Sequence, residues 1–285
     1  MTHPAAAPAR VVLLLEELNF GGTQRQTLEL ARRLDPGKFR AEIWLLRTGE
    51  DLAPLARQWG IPLTWLARTN HVGLLSLANL WRRLRQEKID LLLTLTAIPN
   101  IWGRILARLA GLPAIIGNVR SNTAQRQHEG WLWRLSHRVV CNNAALLHLL
   151  INTYHLPADR LALIPNGVDT AFFRPGEKDH TESGLNILSI GRLVPDKDQE
   201  TLLRAFSLVL RDYPAAKLWL VGEGPCRARL EALVQQIIPP GRARLLPGRE
   251  DVRPLLQQAD LFALSSVTEA LPNVVLEAMA AGLPV

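Results

Sequence analysis

Short apolar segments alternate with amphipathic helical segments along nearly the whole of this 285-residue chain. The apolar runs that come before the one long break in the pattern are VVLLL, AEIWLL, LTWL, DLLLTL, AIIGNV, RVVCN and RLALIPNG. Short apolar runs, each followed by a stretch of helical periodicity, predict buried strands joined by helices. Strands that are apolar on both faces belong to parallel sheets that helices cover on both sides. The chain is therefore predicted to have an α/β fold.

The one long break divides the chain. The segment DTAFFRPGEKDHTESG, residues 169–184, is polar and without periodicity, and its Pro and Gly residues predict a linker. The alternation then resumes with LNILSIGRL, AKLWLVGEG, ARLLPG and ADLFALS. The chain is long enough for two domains, and its 48% hydrophobic content is typical of globular proteins. We predict two Rossmann-like, doubly wound parallel-sheet domains, at 1–175 and 176–285.

The composition excludes several classes of protein. Because the chain has only two cysteines, Cys141 and Cys226, it has no disulfide framework, which predicts a reducing, cytoplasmic compartment. Apolar runs are too short for a membrane span. The first run is also too short for a secretory signal, and two glutamates follow it. No pair of histidines has the spacing of a metal site.

Ligands bind parallel sheets at the carboxyl ends of the strands, so the loops after the apolar runs are the candidate sites. The loop after the first run contains Gly21 and Gly22, which let a backbone approach a ligand closely. Thr23 is predicted to cap the following helix, whose free N–H groups suit an anion. A tight turn without a ligand explains the same residues.

The first apolar run of the second domain is followed by GRLVPDKD. Arg192 and Lys197 can place one forked and one point-like cation on a diphosphate, although solvated loop charges are the plain alternative. The DKD spelling matches a metal-binding D-x-D motif, but so short a motif is common by chance. Asp196 is instead predicted to cap the next helix, and no metal is expected.

The segment SSVTEALPNVVLEAMAAGLPV holds two carboxylates, one on either side of the predicted start of a helix near Asn273. The N–H groups of its first turn, including those of Val274 and Val275, are predicted to be free to bind a phosphate. Glu277, one turn into the helix, can accept hydrogen bonds from ribose hydroxyls, and Glu269 can reach a sugar. A loop charge at Glu269 and a dipole-compensating residue at Glu277 are the alternative.

Five segments, in this order, resemble the family 4 glycosyltransferases, which use nucleotide sugars. The segments are GGTQRQ, IPNGVD, GRLVPDKD, GEGP and EALPNVVLEAMAAGLPV. Glu269 and Glu277 match the signature pair of glutamates in that family. The resemblance covers the whole chain and is strongest after residue 160. It implies the GT-B fold, with two Rossmann-like domains that face a cleft, and a retaining glycosyltransferase.

The resemblance also implies a role for each site residue, since in that family the nucleotide diphosphate lies on the second domain and the acceptor mainly on the first. The residues implied for catalysis are Arg192, Lys197 and Glu269. The residues implied for donor binding are Gly21, Gly22, Arg192, Lys197, Asn273, Val274, Val275 and Glu277. The donor is expected to be a nucleotide-diphosphate sugar of the UDP or GDP type. Two cations and the helix N–H groups would do the work of Mg²⁺, so no metal or other cofactor is expected.

One position departs from the family's pattern. Many members have a histidine in the loop after the fifth strand, where this chain reads IIGNVRSNTAQRQH. Arg120 lies near that position, and His128 is too far along to align. We expect Arg120 to contact a phosphate or the acceptor, and we place Asn100 on the acceptor side with it.

The acceptor implied is a glycan or a lipid-linked molecule, in cell-envelope or exopolysaccharide assembly. Residues 1–150 carry 19 lysines and arginines against 10 acidic residues, and residues 74–88, LLSLANLWRRLRQEK, combine leucine, Trp81 and arginine. Such a helix can lie on the anionic inner face of a membrane. A sheet-covering helix with a solvated basic edge explains the pattern equally well. No nucleic-acid partner is expected.

The chain stops inside a strand signal, whereas members of the family continue with a further strand, a donor loop and terminal helices. We therefore expect a truncated chain with an incomplete second domain. Two other functions stay open. One is a non-catalytic nucleotide-sugar binding module or an inactive fragment. The other is a sugar-nucleotide epimerase of the same fold, against which the glutamate pair argues.

Overall fold

A computed structural model describes residues 7–120, 128–176 and 184–285 of the chain. The chain divides into two compact units, Met1–Asn166 and Gly167–Val285. The division comes before the polar segment 169–184, because Val168 and Phe173 pack against the apolar core of the second unit. The domain boundary predicted at residue 175 lies downstream of this division.

The first unit contains a parallel sheet of seven strands in the order β3-β2-β1-β4-β5-β6-β7. The strands are β1 (Ala9–Leu15), β2 (Phe39–Leu45), β3 (Leu63–Trp65), β4 (Leu91–Thr94), β5 (Ala114–Val119), β6 (Arg138–Cys141) and β7 (Leu161–Leu163). The α-helices are α1 (Gly22–Arg33), α2 (Ala53–Gln58), α3 (Leu74–Gln86), α4 (Arg104–Leu109), α5 (Glu129–Leu132) and α6 (Ala144–Asn152), and a π-helical turn at Pro99–Gly103 precedes α4. Among the described residues, no helix is long and apolar enough to cross a membrane.

Strand β1 shows why these runs form a covered sheet. Leu13 and Leu15 pack into one apolar cluster, and Val12 and Leu14 pack into another. Because side chains alternate between the two faces of a strand, both faces of β1 are buried. The prediction of strands that are apolar on both sides is therefore confirmed for β1.

The second unit contains a parallel sheet of four strands in the order β10-β9-β8-β11. The strands are β8 (Asn186–Ile190), β9 (Lys217–Val221), β10 (Ala243–Leu246) and β11 (Leu261–Phe262). The helices are α7 (Gln199–Asp212), α8 (Arg227–Ile237), α9 (Arg253–Gln258) and α10 (Asn273–Ala280). Two units, each with a parallel sheet and helices, confirm the predicted pair of Rossmann-like domains.

Two glycines after β9 allow the loops after β8 and β9 to touch along their main chains. A Cβ on Gly222 would lie 2.0 Å from the carbonyl oxygen of Gly191, and one on Gly224 would lie 2.3 Å from that of Leu193. Both glycines have positive φ angles, 154° and 156°. The N–H of Leu193 donates to the carbonyl of Glu223 at 2.8 Å. This contact holds the start of the GRLVPDKD turn in place.

We expect Gly222→Ala to lower the free energy of unfolding by at least about 3 kcal/mol, because the new Cβ meets backbone that cannot move aside. Gly241→Ala is the matched control, since Gly241 also has a positive φ, 79°, but its added Cβ would meet nothing within 4 Å. The control should cost only about 1–2 kcal/mol of backbone strain. Urea unfolding followed by circular dichroism measures both, and equal losses would contradict the role given to this loop contact.

Candidate functional site

The strand order shows where each unit can bind a ligand. It reverses between β1 and β4 in the first sheet and between β8 and β11 in the second. In open α/β sheets the ligand crevice lies outside the carboxyl ends of the strands at such a reversal. The loops after β8 and β11 are therefore the first candidates in the second unit, and those after β1 and β4 in the first.

Arg192 and Lys197 lie on the turn that follows β8. This turn contains a 3₁₀ turn at Pro195–Lys197, and Arg192 is exposed at its start. Gln199, buried at the first position of α7, donates from Nε2 to the carbonyl of Arg192 at 2.9 Å. The two predicted cations thus belong to one short turn whose backbone is fixed by hydrogen bonds.

Lys197 and Glu269 form an ion pair across the strand reversal. Their side chains are 18% and 25% exposed, so the pair is open to solvent on one side. An ammonium group has three N–H donors, and a carboxylate can use one of them while the others stay available for a phosphate. The two residues that sequence analysis assigned to the diphosphate and to the sugar are therefore in direct contact.

Helix α10 follows the same loop and begins at Asn273. Val274 is its second residue, and Glu277 lies one turn in, with a half-buried side chain. The N–H of Val275, which was predicted to be free, donates to the carbonyl of Pro272 at 3.3 Å. That prediction is wrong for this structure, because the first turn of the helix closes on Pro272, although the hydrogen bond is longer than is usual.

The cap of α7 differs from the prediction. Asp198, and not Asp196, accepts a hydrogen bond from the N–H of Thr201, at 3.3 Å. Asp198 has a left-handed backbone conformation, with φ 44° and ψ 47°. The prediction was wrong by two residues because the 3₁₀ turn Pro195–Lys197 comes before the helix.

In the first unit, Gly21 and Gly22 lie at the start of α1, in the connection that follows β1 at the strand reversal. Helix α1 begins at Gly22 with Gly21 as its N-cap, so Thr23 lies inside the helix and the prediction that it caps the helix is wrong. Gly21 has a φ of −178°, an extended conformation that any residue can adopt. A Cβ there would meet only the end of the Gln24 side chain, which can move. The backbone therefore does not require glycine at this position.

Arg120 follows β5, and its guanidinium donates to the side-chain oxygen of Asn166. Burial lowers the pKa of Arg120 to about 10. No acidic group offsets this shift among the described residues. A partly desolvated guanidinium whose partner is a neutral amide favours an anion beside it.

Asn100 lies in the π-helical turn after β4 and is part of a buried hydrogen-bond network. Its side-chain oxygen accepts from the hydroxyl of Thr94 at 2.7 Å and from Nη2 of Arg104 at 2.8 Å, while its Nδ2 donates to the carbonyl of Asn118 at 2.7 Å. Arg104 is fully buried and forms an ion pair with Glu129 at 2.8 Å. These contacts explain Asn100 as a structural residue, and contact with an acceptor stays a prediction.

Sequence analysis did not identify two residues that hold the site together, Gln199 and Ser265. Ser265 lies in the loop after β11 and donates from Oγ to the carbonyl of Lys197 at 3.0 Å. Neither residue belongs to a motif with a known chemical role. Gln199 gave one weak signal in the sequence. It is a polar residue on the side of the predicted helix that faces the core.

Two family models match this chain. The model of Glycosyltransferase Family 4 matches residues 20–172, which is 153 of the 285 residues, and the model of Glycosyl transferases group 1 matches residues 184–285. The chain belongs to glycosyltransferase family 4. The family predicted from the five motifs is therefore confirmed.

Named relatives include glycosyltransferases of the cell envelope. The UDP-Gal:alpha-D-GlcNAc-diphosphoundecaprenol alpha-1,3-galactosyltransferase of Escherichia coli is 29% identical over 232 residues, which cover 73% of this chain and 60% of the relative. The lipopolysaccharide core biosynthesis glycosyltransferase LpsE of Rhizobium meliloti is 38% identical over 99 residues, 35% of this chain and 28% of the relative. This family 4 chain thus spans less than two thirds of the length of these relatives.

Solved structures share the fold. The crystal structure of Anabaena Alr3699/HepE in complex with UDP-glucose has a TM-score of 0.80 at 19% identity, and the match covers 96% of this chain and 79% of that one. At that identity the likeness concerns the fold alone. The GT-B architecture of two Rossmann-like domains is confirmed for this chain.

We expect Glu129→Gln to destabilise the first unit by about 3–5 kcal/mol, because it leaves Arg104 buried without its counter-charge. Glu50→Gln is the matched control, since it removes one carboxylate from an exposed pair with Arg68 at 3.5 Å. The control should change stability by less than about 1 kcal/mol. Urea unfolding measures both variants, and a Glu129→Gln variant as stable as the control would show that the buried pair is not needed.

Proposed function

We propose that this chain is part of a retaining glycosyltransferase that moves a sugar from a nucleotide-diphosphate sugar to a glycan or lipid-linked acceptor. The observation that carries the proposal is the contact of Lys197 with Glu269 at the strand reversal of the second unit, beside the helix that carries Glu277. The cation of Lys197 suits a phosphate, and the carboxylate of Glu269 suits a sugar hydroxyl. Glu277, in the first turns of the helix, suits a ribose. The reaction would take place in cell-envelope or exopolysaccharide assembly, on the cytoplasmic side of the membrane.

The comparisons support a UDP sugar as the donor. The name of the Escherichia coli relative specifies UDP-Gal, and Anabaena HepE was crystallised with UDP and with UDP-glucose. This chain carries Arg192 and Lys197 on one turn, where a diphosphate would find both a forked and a point-like cation. A nucleoside diphosphate is thus the donor group that these residues suit best.

Leaving-group stabilisation is the main catalytic effect in this proposal. Negative charge grows on the β-phosphate as the glycosidic bond breaks, and Arg192 and Lys197 offset it together with N–H groups at the start of α10, at Asn273 and Val274. The departing phosphate takes the proton of the acceptor hydroxyl, and attack from the same face of the sugar retains its configuration. Glu269 holds Lys197 before the donor binds and accepts hydrogen bonds from the sugar.

The first unit has candidate residues of its own in this proposal. Gly21 and Gly22 have no side chain at its strand reversal and would admit a phosphate there, and Arg120 provides an anion contact whose charge is only partly hydrated. We also propose Asn100 as a residue of the acceptor side, because it follows β4. Its side-chain oxygen accepts a hydrogen bond from Arg104 as well.

We expect Glu277→Gln to lower sugar transfer by about two orders of magnitude, since the ribose loses its charged acceptor and the donor is misplaced. Glu231→Gln, on the exposed side of α8, is the matched control and should transfer sugar at the parent rate. Transfer is measured with a radiolabelled UDP-sugar and a lipid-diphosphate acceptor. A Glu277→Gln variant with the parent rate would refute the site assignment.

Two outcomes of the same assay would favour other functions. If the parent chain binds UDP but transfers no sugar, a non-catalytic binding module fits better. If it changes the configuration of the donor sugar without an acceptor, an epimerase fits better.

Helix α3 is the surface that we propose contacts an anionic membrane. Leu74 and Leu75 are 87% and 60% exposed at its start, and Arg82 and Arg85 are exposed further along. Positions 74, 78, 82 and 85 have the spacing of one helix face, so the apolar and basic residues share a side. Leucine side chains can enter the headgroup region while arginine binds lipid phosphates.

We expect the double change Arg82→Gln with Arg85→Gln to weaken binding to vesicles by about tenfold or more, because each basic residue near an anionic surface contributes about 1 kcal/mol. The matched control is Arg204→Gln with Arg211→Gln, which removes two exposed arginines from α7. Co-sedimentation with phosphatidylcholine vesicles, with and without phosphatidylglycerol, measures the effect. A parent chain that does not bind these vesicles, or an equal loss in both double variants, would refute the proposal.

A further inference from the structure

Ser265 joins the two loops of the candidate donor site. Its Oγ donates to the carbonyl of Lys197 at 3.0 Å, and the N–H of Val267 donates to the carbonyl of Asp196 at 3.0 Å. Ser265 and Val267, in the loop after β11, thus form hydrogen bonds with two successive residues of the turn after β8. The ion pair of Lys197 with Glu269 adds the third connection.

These three connections differ in what a ligand does to them. A phosphate that binds Lys197 competes with Glu269 for the ammonium group, so the ion pair changes when the donor arrives. The hydrogen bonds of Ser265 and Val267 involve main-chain carbonyls, which a phosphate does not attract. They remain when the ion pair is disturbed, and they keep the backbone of Lys197 where it was.

The backbone around Lys197 depends on restraints of this kind. The next residue, Asp198, has a left-handed backbone, a conformation that costs about 1 kcal/mol or more for a residue with a side chain. At the start of the turn, the carbonyl of Arg192 accepts a hydrogen bond from the side chain of Gln199. Ser265 thus restrains the main chain of Lys197 directly, and it lies on the loop that also carries Glu269.

We propose that Ser265 is a positioning residue that acts through Lys197: it holds the main chain of Lys197 so that the ammonium group stays aimed at the donor diphosphate. This inference rests on the proposed donor site. It assigns Ser265 no contact with the donor, and it separates the role of Ser265 from that of Arg192, which a different side chain holds.

A double-mutant cycle on UDP affinity tests the proposal. In the parent background, Ser265→Ala should weaken UDP binding about fivefold, the effect of one hydrogen bond. In a Lys197→Met background the same change should have an effect below about twofold, since the side chain that it positions is gone. In an Arg192→Gln background it should keep its full effect. Ser265→Thr, which keeps the hydroxyl, should bind UDP as the parent does.

The matched control is Ser207→Ala, which removes the same kind of hydrogen bond, from Oγ to the carbonyl of Arg204 at 2.7 Å on the exposed side of α7. It should leave UDP affinity unchanged. Isothermal titration calorimetry measures affinity, and thermal unfolding shows whether each variant is folded. If Ser265→Ala does not fold, the comparison of Ser265→Thr with Ser265→Cys, which lacks a strong donor, replaces it.

The outcomes distinguish this inference from the proposed function. If the parent binds neither UDP nor GDP, the donor site itself is wrong and the inference falls with it. If the parent binds UDP and Ser265→Ala binds equally well, or loses as much in the Lys197→Met background as in the parent, only the inference is wrong. Loss confined to backgrounds that contain Lys197, with rescue by threonine, establishes it.

Discussion

The main-chain contact between the loops after β8 and β9 is the constraint on which the second unit depends. Gly222 and Gly224 leave no space for a side chain, so the two loops touch backbone to backbone. This contact fixes Gly191 and Leu193 on either side of Arg192, and through them the start of the turn that ends in Lys197. The order of a charged site at the edge of a sheet depends on the loops that carry it. Here two glycines without side chains allow those loops to pack closely, main chain against main chain.

A second layer of restraint acts on the charges themselves. Lys197 and Glu269 come from loops 72 residues apart in the chain and neutralise each other at the strand reversal. Since both are partly exposed, their attraction is moderate, and in the proposed donor site a diphosphate with two negative charges would replace the carboxylate as the partner of the ammonium group. In that proposal, the hydrogen bonds from Ser265 and Val267 to main-chain carbonyls keep the loops together during the exchange.

Much of the fold could be predicted from the sequence because buried parallel strands have a strong signature. The run VVLLL became β1 almost residue for residue, and LNILSIGRL contained β8. Periodicity carries this information since every strand residue must face one of two covered surfaces. The family and the GT-B fold followed from motifs of several residues in a fixed order.

Details within the loops could not be predicted, because they depend on contacts between distant segments and on short turns. The 3₁₀ turn at Pro195–Lys197 moved the cap of α7 from Asp196 to Asp198. Helix α1 began at Gly22 without any side-chain cap, so a threonine that suits a cap was inside the helix. Ser265 contacts a carbonyl 68 residues away, and a serine between two apolar segments gives no signal of such a contact.

The packing of the connecting segment has a consequence for how the two halves of this protein can be separated. Phe173 is buried in the core of the second unit, and Val168 lies against the same cluster. A cut at the predicted boundary, after residue 175, would remove both and leave a cavity the size of a phenyl ring in the cluster to which α9 and α10 contribute. The polar segment that was predicted to be a linker thus contains a core residue, Phe173, and an isolated second unit has to start at Gly167 to keep Val168 and Phe173.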